Sequence, residues 1–414
     1  MADIGVGNPT GPTLRISAQQ RDFLIFTIWS MVTFVQFRGD DLLLYPLALY
    51  YAYTILRDQR AVLPLIARSW VLLLFPAWSL LSPLWAELPV VAFKNALYLS
   101  LTIIICLQVA ANLAPRQIMH AICLAASVIG VVNIVAAFGL GQGDLGIFTS
   151  KNAMGKNMVV LWIVAFATFL DPGTHWPVRL AALGMAGIAA FMAAISDSAT
   201  AVLLVLASSL MLVAGAIVLR GGLLRASRLA ALFVTSGLVL GAAFTYLPYQ
   251  QIDPVDAVLN QFGKDSTLTG RTVLWQYAED QIRERPLLGV GAGGFWRYSE
   301  SPLIQRIYFE FYKGPWDIFN FHNSYYEIAV HQGLIGLGLV VPAMLWGIWM
   351  IGRWALSEGS MPSLFFMSHM MVVLVRTMTE ADFLKPFVLF HMVFWIGAIA
   401  AARQRRDLSD NKST

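Results

Sequence analysis

The chain has 414 residues, of which 58% are hydrophobic and 13% charged, and its formal net charge is +4. A soluble domain carries roughly 25% charged residues, so this composition excludes an ordinary soluble enzyme and indicates lipid as the solvent. Several apolar runs reach the roughly 20 residues that a helix needs to cross about 30 Å of hydrocarbon. The composition therefore predicts an all-α polytopic membrane protein.

Taken in chain order, the apolar runs predict about twelve transmembrane helices. A polar tail, residues 1–22, precedes the first run, which we expect to remain as an uncleaved anchor. Nine spans are expected within 23–247 and three within 323–401, and a second tail covers 402–414. The predicted spans lie near 23–37, 42–56, 61–82, 89–111, 118–140, 157–171, 178–195, 199–219, 227–247, 323–351, 361–377 and 381–401.

The basic residues divide the connections into two groups. The odd-numbered short connections, such as "WAEL" and "SDSAT", are nearly free of Lys and Arg. Because cytoplasmic loops carry an excess of positive charge, we expect both termini in the cytoplasm. The even-numbered connections and the tails hold Arg15, Arg21, Arg57, Arg60, Arg116, Arg179, Arg220, Arg225, Arg228, Arg353, Arg403, Arg405, Arg406 and Lys412.

One connection, residues 248–322 between spans nine and ten, is much longer than the others and lies on the far side of the membrane from the termini. Loops of this length usually have a function. Within it, "TGRTVLWQYAEDQIRER" predicts a helix with Thr269 as N-cap and Pro286 after its end. Its apolar residues recur at helical spacing, at Val273, Leu274, Tyr277, Ala278 and Ile282.

The stretch "ERPLLGVGAGGFW", residues 284–296, places Gly289, Gly291 and Gly294 in the spacing G-x-G-x-x-G. A dinucleotide-binding turn needs this spacing at a strand-to-helix junction. Here the glycines follow a helix end and a proline, and no strand pattern precedes them. We therefore interpret them as a bend that allows close approach of the backbone to another element.

Basic residues from distant segments are expected to meet on the far side of the membrane. They are Lys151, Lys156, Arg271, Arg297 and Arg376, with His322 at the mouth of span ten. Such a cluster suits a phosphate or diphosphate, to which Arg can donate bidentate hydrogen bonds. The two lysines could also be interfacial residues that extend towards water.

The start of span ten has two interpretations. "SYYE" has the form of a capping box, which would explain Ser324 and Glu327 by helix capping alone. Alternatively, the positive end of the helix dipole disfavours an imidazolium, so a neutral His322 could accept a proton. The sequence contains no H-E-x-x-H motif, cysteine pair or carboxylates at ligand spacing, and no metal is predicted.

Two stretches, "GRTVLWQYAEDQIRERPLLGVGAGGFW" and "HNSYYEIAVHQGLIGLGLV", together resemble the signature region of the bacterial O-antigen ligase and polymerase family. Within this family, the chain looks most like exopolysaccharide polymerases of the ExoQ/Wzy type. "FTSKNAMGKN" is similar to the family stretch F-x-x-K-N-x-x-G, and "TMTEADF" is similar to its late acidic motif. The matching pieces cover roughly residues 75–385.

The resemblance implies a GT-C-type glycosyltransferase fold in the bacterial inner membrane, with a large periplasmic loop between helices 9 and 10. It implies transfer of a glycan from undecaprenyl diphosphate to an acceptor sugar hydroxyl, without metal, nucleotide or other cofactor. Arg271 and His322 would be the catalytic residues, with His322 as the base or as the residue that positions the acceptor. The diphosphate would contact Arg271, Lys151, Lys156 and Arg376, and the supporting residues would be Asn323, Glu327 and Glu380.

The chain departs from the family at one position. Many relatives carry Arg or Lys within an S-x-S-R/K-T-A pattern, whereas "SDSATA" has Ala199 there. Three explanations are open: Lys151 or Lys156 substitutes for the missing cation, the protein is weakly active, or this position has been altered from the natural residue.

The predicted function is a polysaccharide polymerase that joins lipid-linked repeat units. An O-antigen ligase or protein O-oligosaccharyltransferase is the alternative within the same fold, and a lipid-linked glycan transporter is the alternative from another class. Transporters usually place ionisable groups near the bilayer midplane, whereas here they gather at one face. The expected partners are an undecaprenyl-diphosphate-linked oligosaccharide, an acceptor glycan, a chain-length regulator and export machinery, and no nucleic acid.

Overall fold

The computed structural model describes residues 17–35, 37, 39–220 and 270–410 of the chain. Every regular element within these residues is a helix, so the prediction of an all-α polytopic membrane protein is confirmed. Several predicted features lie outside the described residues: span nine at 227–247, the first part of the long connection, Thr269, Arg15, Arg225, Arg228 and Lys412.

The helices follow one another with short connections, except between α9 and α12. They are α1 (Ala18–Phe34), α2 (Asp41–Arg57), α3 (Gln59–Arg68), α4 (Val71–Leu81), α5 (Pro89–Asn112), α6 (Pro115–Ile134), α7 (Lys151–Leu170), α8 (Trp176–Ile195), α9 (Ala199–Arg220), α10 (Arg271–Glu284), α11 (Pro302–Glu310), α12 (Ser324–Glu358), α13 (Met361–Thr379) and α14 (Leu389–Asp410). A 3₁₀ turn, Ser82–Leu84, follows α4, and a π-helical turn, Val135–Gly139, extends α6.

Seven of the described helices are long and apolar enough to cross a membrane, namely α5, α6 with its extension, α7, α8, α9, α12 and α13. An eighth crossing results if α3 and α4, which are bent by 92° to each other, form one broken span. The helices α1 and α2 have 17 residues each, and the apolar part of α14 is also short. The described residues therefore do not reach the predicted count of twelve.

The predicted span at 61–82 corresponds to two helices, α3 and α4, which are bent by 92° to each other. The helix α3 carries Arg60 and Arg68 and buries Val62 and Leu65. It is therefore amphipathic, whereas a membrane span is apolar on most of its surface. The prediction from hydropathy joined the residues of this short helix to the apolar run of α4.

The arginines of the even-numbered connections gather at one end of the bundle, which we call the arginine end. Arg116 Nε donates to Asp171 Oδ2 at 2.7 Å, and Arg403 Nη1 donates to the Ala110 carbonyl at 2.9 Å. The opposite end, which we call the site end, contains the starts of α7 and α12 and the end of α13. The cytoplasmic location of the arginine end stays a prediction.

The helix α13 lies in the centre of the bundle. Its side chains Leu364, Phe365 and Phe366 are fully buried, and they belong to one continuous core with the buried faces of α5, α7 and α14. Most of its surface is buried, although Met371, Val375 and Met378 are exposed on one face of its second half. The residues that follow its last turn lie at the site end.

The long connection has a smaller core of its own. The inner faces of α10 and α11 supply Leu274, Ala278, Ile304 and Ile307, which pack with the aromatic residues of the following segment. This cluster joins the bundle at Val330 of α12. The described part of the connection is therefore a small folded unit seated on α12.

The glycine-rich stretch docks into a break in α12, which the sequence predicted as one continuous span. At Gly333, φ is 69° and ψ is −179°, so the helical hydrogen bonds are interrupted there. The exposed backbone groups of the helix are satisfied by the stretch. Val290 N–H donates to the Val330 carbonyl (3.0 Å), Gly291 N–H to the His331 carbonyl (2.8 Å), and Leu334 N–H to the Pro286 carbonyl (2.8 Å).

The docked glycines have no room for a side chain. A Cβ on Gly289 would lie 2.6 Å from the backbone nitrogen of Gly333, and a Cβ on Gly333 would collide with the Leu287 carbonyl. A Cβ on Gly291 would collide with Ala86. The interpretation of these glycines as a bend for close backbone approach is therefore confirmed.

We expect Gly333→Ala to destabilise the protein, because the new methyl group would separate the glycine-rich stretch from α12 and would favour a continuous helix. Gly338→Ala is the matched control, since Gly338 lies on the same helix with nothing within 4 Å of an added Cβ. Thermal unfolding of the purified protein in detergent measures the effect. Equal melting temperatures for the two variants would show that the break does not need glycine.

Candidate active site at one end of the helix bundle

The carboxylate of Glu380 brings together side chains from three other parts of the chain. Arg271 Nη2 lies 3.2 Å from Glu380 Oε1, and His322 Nδ1 lies 3.1 Å from Glu380 Oε2. Asn152 Nδ2 also donates to Oε1, at 3.2 Å. Glu380 directly follows α13, and its side chain is largely buried among these partners.

Arg271 is the first residue of α10, where the helix dipole is unfavourable for a cation. Glu380 supplies the negative charge that compensates for this position. The indole N–H of Trp275 donates to the Phe321 carbonyl at 2.9 Å, and the Trp275 ring stacks on Tyr326. These contacts fix α10 to the segment that carries His322.

His322 has a φ of 50°, a left-handed conformation that residues other than glycine rarely adopt. Its backbone N–H donates to Asn320 Oδ1 at 2.8 Å, which stabilises the turn. Such unusual backbone conformations often occur at functional sites, where the surrounding structure holds them. The conformation turns the chain sharply just before α12 begins.

The predicted capping box of Ser324 and Glu327 is wrong. Asn323 caps α12, because its Oδ1 accepts hydrogen bonds from the backbone N–H groups of Tyr325 and Tyr326. Ser324 Oγ instead donates to the Glu380 carbonyl at 2.7 Å. Glu327 accepts from Trp296 Nε1 at 2.9 Å and from the Phe321 backbone N–H at 3.1 Å.

The surroundings of Glu380 keep its carboxylate ionised. Burial opposes ionisation, but the hydrogen bond from His322 and the charges of Arg376 and Arg271 outweigh burial and lower the pKa of Glu380. An ionised carboxylate can only accept hydrogen bonds. An ionised Glu380 therefore accepts the hydrogen bond from His322 Nδ1, and this leaves His322 Nε2 as the ring nitrogen that is not bonded to Glu380.

A second charged cluster lies two residues further along the chain, at Asp382. Lys156 Nζ is 3.3 Å and Arg376 Nη2 is 2.9 Å from Asp382 Oδ2. Burial opposes ionisation of Asp382, but Lys156 and Arg376, with a smaller contribution from Lys385, lower its pKa. We call Lys156, Arg376 and Asp382 the basic triad, because two cations share one anion there.

The remaining predicted residues differ in their placement. Lys151 is exposed at the start of α7, and within the part of the chain that the structure describes its ammonium makes no ion pair. Arg297 Nε donates to the Gly293 carbonyl at 3.3 Å, away from Glu380. Asn323 Nδ2 donates to the Met378 carbonyl at 3.3 Å, which joins the start of α12 to the end of α13.

The turn that carries Ala199 lies next to the basic triad. A Cβ on Gly155, one residue before Lys156, would lie 3.1 Å from Ser198 Cβ and 2.8 Å from Ala201 Cβ. The start of α9 therefore packs directly on α7 at the level of Lys156.

Sequence reasoning missed Asn152 and Asp382. Both stand beside residues that the motifs already singled out, since Asn152 follows Lys151 and Asp382 lies two positions after Glu380. Both also lie within the quoted stretches "FTSKNAMGKN" and "TMTEADF", so a polar residue inside a motif was an available signal. Which of the neighbours pairs with which depends on packing that the motifs do not encode.

Two comparisons with known proteins bear on this site. Residues 182–341 match the family model described as "O-Antigen ligase". Over 363 residues, the chain is 29% identical to the "Exopolysaccharide production protein ExoQ" of Rhizobium meliloti (strain 1021), with 85% of this chain and 82% of that protein covered. The matched model region includes Arg271 and His322, and the predicted family resemblance is confirmed.

We expect Asp382→Asn to destabilise the protein by roughly 3 kcal/mol, because two largely buried cations would lose their shared anion. Asp144→Asn is the control, since Asp144 is exposed in the loop before α7. Thermal unfolding in detergent would compare the two variants. A melting temperature for Asp382→Asn as high as that of Asp144→Asn would mean that the basic triad contributes nothing to stability.

The lowered pKa of Glu380 predicts a pH dependence of stability. A carboxylate with a depressed folded-state pKa stabilises the protein above its ordinary value of 4.5, and this contribution is lost as the pH falls through the folded-state pKa. The melting temperature of wild type should therefore exceed that of Glu380→Gln at neutral pH, and the difference should shrink below pH 4.5. Glu300→Gln, at an exposed site, should show no such trend. A difference that grows on acidification would contradict the assignment.

Proposed function

We propose, from the similarity of the chain to the O-antigen ligase family model and to the ExoQ protein, that it polymerises a polysaccharide. It transfers an oligosaccharide from undecaprenyl diphosphate to a hydroxyl of an acceptor sugar. One observation carries this proposal: the guanidinium of Arg271 and the imidazole of His322 bind the two oxygens of the same carboxylate. A cation and a proton acceptor are thus close enough to act on one substrate.

In the proposed reaction, His322 acts as the general base. The acceptor hydroxyl gives its proton to His322 Nε2, and its oxygen attacks the anomeric carbon of the donor sugar. The bond between that carbon and the diphosphate oxygen breaks, and its electron pair leaves with the diphosphate. A single displacement of this kind inverts the anomeric centre. Positioned general bases typically contribute roughly 10²–10⁴-fold to a rate.

Side-chain cations stabilise the departing diphosphate in this proposal. Arg271 binds the charge that develops on the leaving group, an electrostatic effect that is usually the largest in such reactions. The basic triad adds a surplus positive charge nearby, through Lys156 and Arg376. The proposed reaction uses these cations in the role that a metal ion has in other glycosyltransferases.

Lys156 also offers an explanation for Ala199. The turn before α9 packs on α7 at Gly155, one residue before Lys156. We propose that Lys156 takes over the contribution of the missing Arg or Lys. Exposed Lys151, at the positive N-terminal end of α7, is suited to attract the diphosphate.

The site end is proposed to face the periplasm of a bacterial inner membrane, where carrier-linked glycans are assembled into polymer. The clustering of arginines at the opposite end supports this orientation, with both termini in the cytoplasm. A chain-length regulator and export machinery are the further proposed partners.

The ligase alternative is supported by the description of the matched family model, which names an O-antigen ligase. It would use the same cations and the same base with a different acceptor. The transporter alternative has less support, because the ionisable residues of the site lie at one end of the bundle, where they pair with each other.

We expect His322→Ala and Arg271→Gln each to slow transfer by roughly 10²-fold or more, through loss of the base and of charge stabilisation. The assay follows elongation of lipid-linked oligosaccharide by the purified protein in detergent, without an energy source. His175→Ala and Arg283→Gln are controls of the same residue types at exposed positions, and Arg283 lies on the same helix as Arg271.

Full activity of His322→Ala at an unchanged protein level would refute its assignment as the base. Accumulation of carrier-bound polymer that never reaches its acceptor in a deletion strain would favour the ligase. Movement of lipid-linked glycan across vesicles without any elongation would favour the transporter.

A further inference from the structure

A cavity of about 390 Å³ lies beside Glu380, and the reaction described above makes no use of it. It is lined by α4, α5, α12, the long connection and residues 381–386. We call it the aromatic cavity, because its walls include five aromatic residues, of which three rings belong to the long connection, together with several polar side chains. The lining residues used below are Ser79, Trp296, Arg297, Tyr308, Phe319 and Gln332.

The aromatic cavity adjoins the base. The ring of Phe319 lies 6.1 Å from the ring of His322, and Asn320, which also lines the cavity, accepts the hydrogen bond from the His322 backbone. Asp382 and Lys385 line this cavity and also a smaller one of about 110 Å³ that contains Lys156. The segment that follows Glu380 therefore separates a basic cavity from an aromatic one.

The three rings are held in fixed orientations. Trp296 Nε1 donates to Glu327 at 2.9 Å, and Tyr308 OH donates to the Asp317 carbonyl at 2.9 Å. Phe319 meets Trp296 edge-to-face at 5.4 Å and Tyr308 edge-to-face at 5.8 Å. Rings fixed in this way present rigid apolar surfaces at little cost in conformational entropy.

Two polar side chains of the same wall hold buried atoms that lack a hydrogen-bond partner within the described residues. Gln332 is 3% exposed and Ser79 is 1% exposed, and within the described residues Gln332 Oε1 and Ser79 Oγ make no hydrogen bond. Leaving a buried polar atom without a partner costs about 1–3 kcal/mol. Arg297 uses Nε for the Gly293 carbonyl and makes no ion pair with any described residue.

We propose that the aromatic cavity binds the end of the acceptor saccharide and presents its hydroxyl to His322. A sugar ring has an apolar C–H face, which suits the rings, and hydroxyl groups, which suit Gln332, Ser79 and Arg297. A diphosphate would meet no surplus of positive charge here, because three carboxylates (Asp317, Glu327 and Asp382) line the cavity against two cations (Arg297 and Lys385). This inference rests on the proposed function, and it places acceptor and donor on opposite sides of the segment after Glu380.

The sharpest variant is Gln332→Leu, which removes an unpaired buried acceptor and keeps a similar volume. A purely structural role predicts equal or higher stability and no change in the reaction. A role in binding predicts equal or higher stability together with weaker use of the acceptor. Trp296→Ala is the second variant, and Trp316→Ala is its control, because Trp316 lies in the same connection, is 95% exposed and does not line the cavity.

The probe is the free oligosaccharide released by mild acid from lipid-linked oligosaccharide of the producing bacterium. Its binding to the purified full-length protein in detergent is followed by saturation-transfer NMR, and its KM as acceptor by the transfer assay. We expect Gln332→Leu and Trp296→Ala to weaken binding and to raise the acceptor KM roughly ten-fold, the effect of losing one good contact. The donor KM should not change, and Trp316→Ala should behave as wild type.

The outcomes separate this inference from the proposed function. Transfer with a wild-type acceptor KM in both variants would overturn the acceptor cavity and leave the polymerase intact. The wild-type protein could instead bind the oligosaccharide without transferring any glycan, with both variants losing that binding. This result would support the saccharide site and refute the polymerase. Should Trp296→Ala fail to fold, Gln332→Leu decides alone.

Discussion

The site depends on one buried carboxylate with several partners. Glu380 binds Arg271 through one oxygen and His322 through the other, and both oxygens lie where burial makes an unpaired charge costly. Removal of any one of these three residues would therefore leave a buried charge or polar group without its partner. The carboxylate binds one nitrogen of the imidazole and orients a guanidinium that would otherwise sit at the unfavourable end of a helix dipole.

The fold serves this arrangement by bringing the ends of three helices to one place. The helix α13 ends at the site end, and Ser324 at the start of α12 binds the Glu380 backbone. At the break at Gly333, the glycine-rich stretch forms backbone hydrogen bonds with α12. This stretch directly follows α10, so it fixes the position of α10 and Arg271. Irregular backbone in a membrane helix is tolerated where neighbouring protein groups satisfy it, and this stretch supplies those groups.

Local patterns predicted part of this structure well. Apolar spacing located α10 close to its observed bounds, and the position of the glycines after a proline excluded a nucleotide-binding turn. The errors arose where a contact with a residue far away in the sequence determines the structure. The hydroxyl of Ser324 could have capped its own helix, but it binds Glu380, 56 residues away. The partner of Gly333 and the pairing of Asp382 with Lys156 likewise follow from packing between segments, on which local spacing carries no information.

A double-mutant cycle on His322 and Glu380 tests the central claim most directly. Transfer rates of His322→Ala, Glu380→Gln and the double variant would be measured with the same lipid-linked oligosaccharide. If Glu380 acts by orienting His322, replacing Glu380 has no further effect once the imidazole is absent. The double variant should then be about as slow as the slower single variant. Losses that multiply would show that the two side chains act independently, and the account of one shared carboxylate would then be wrong.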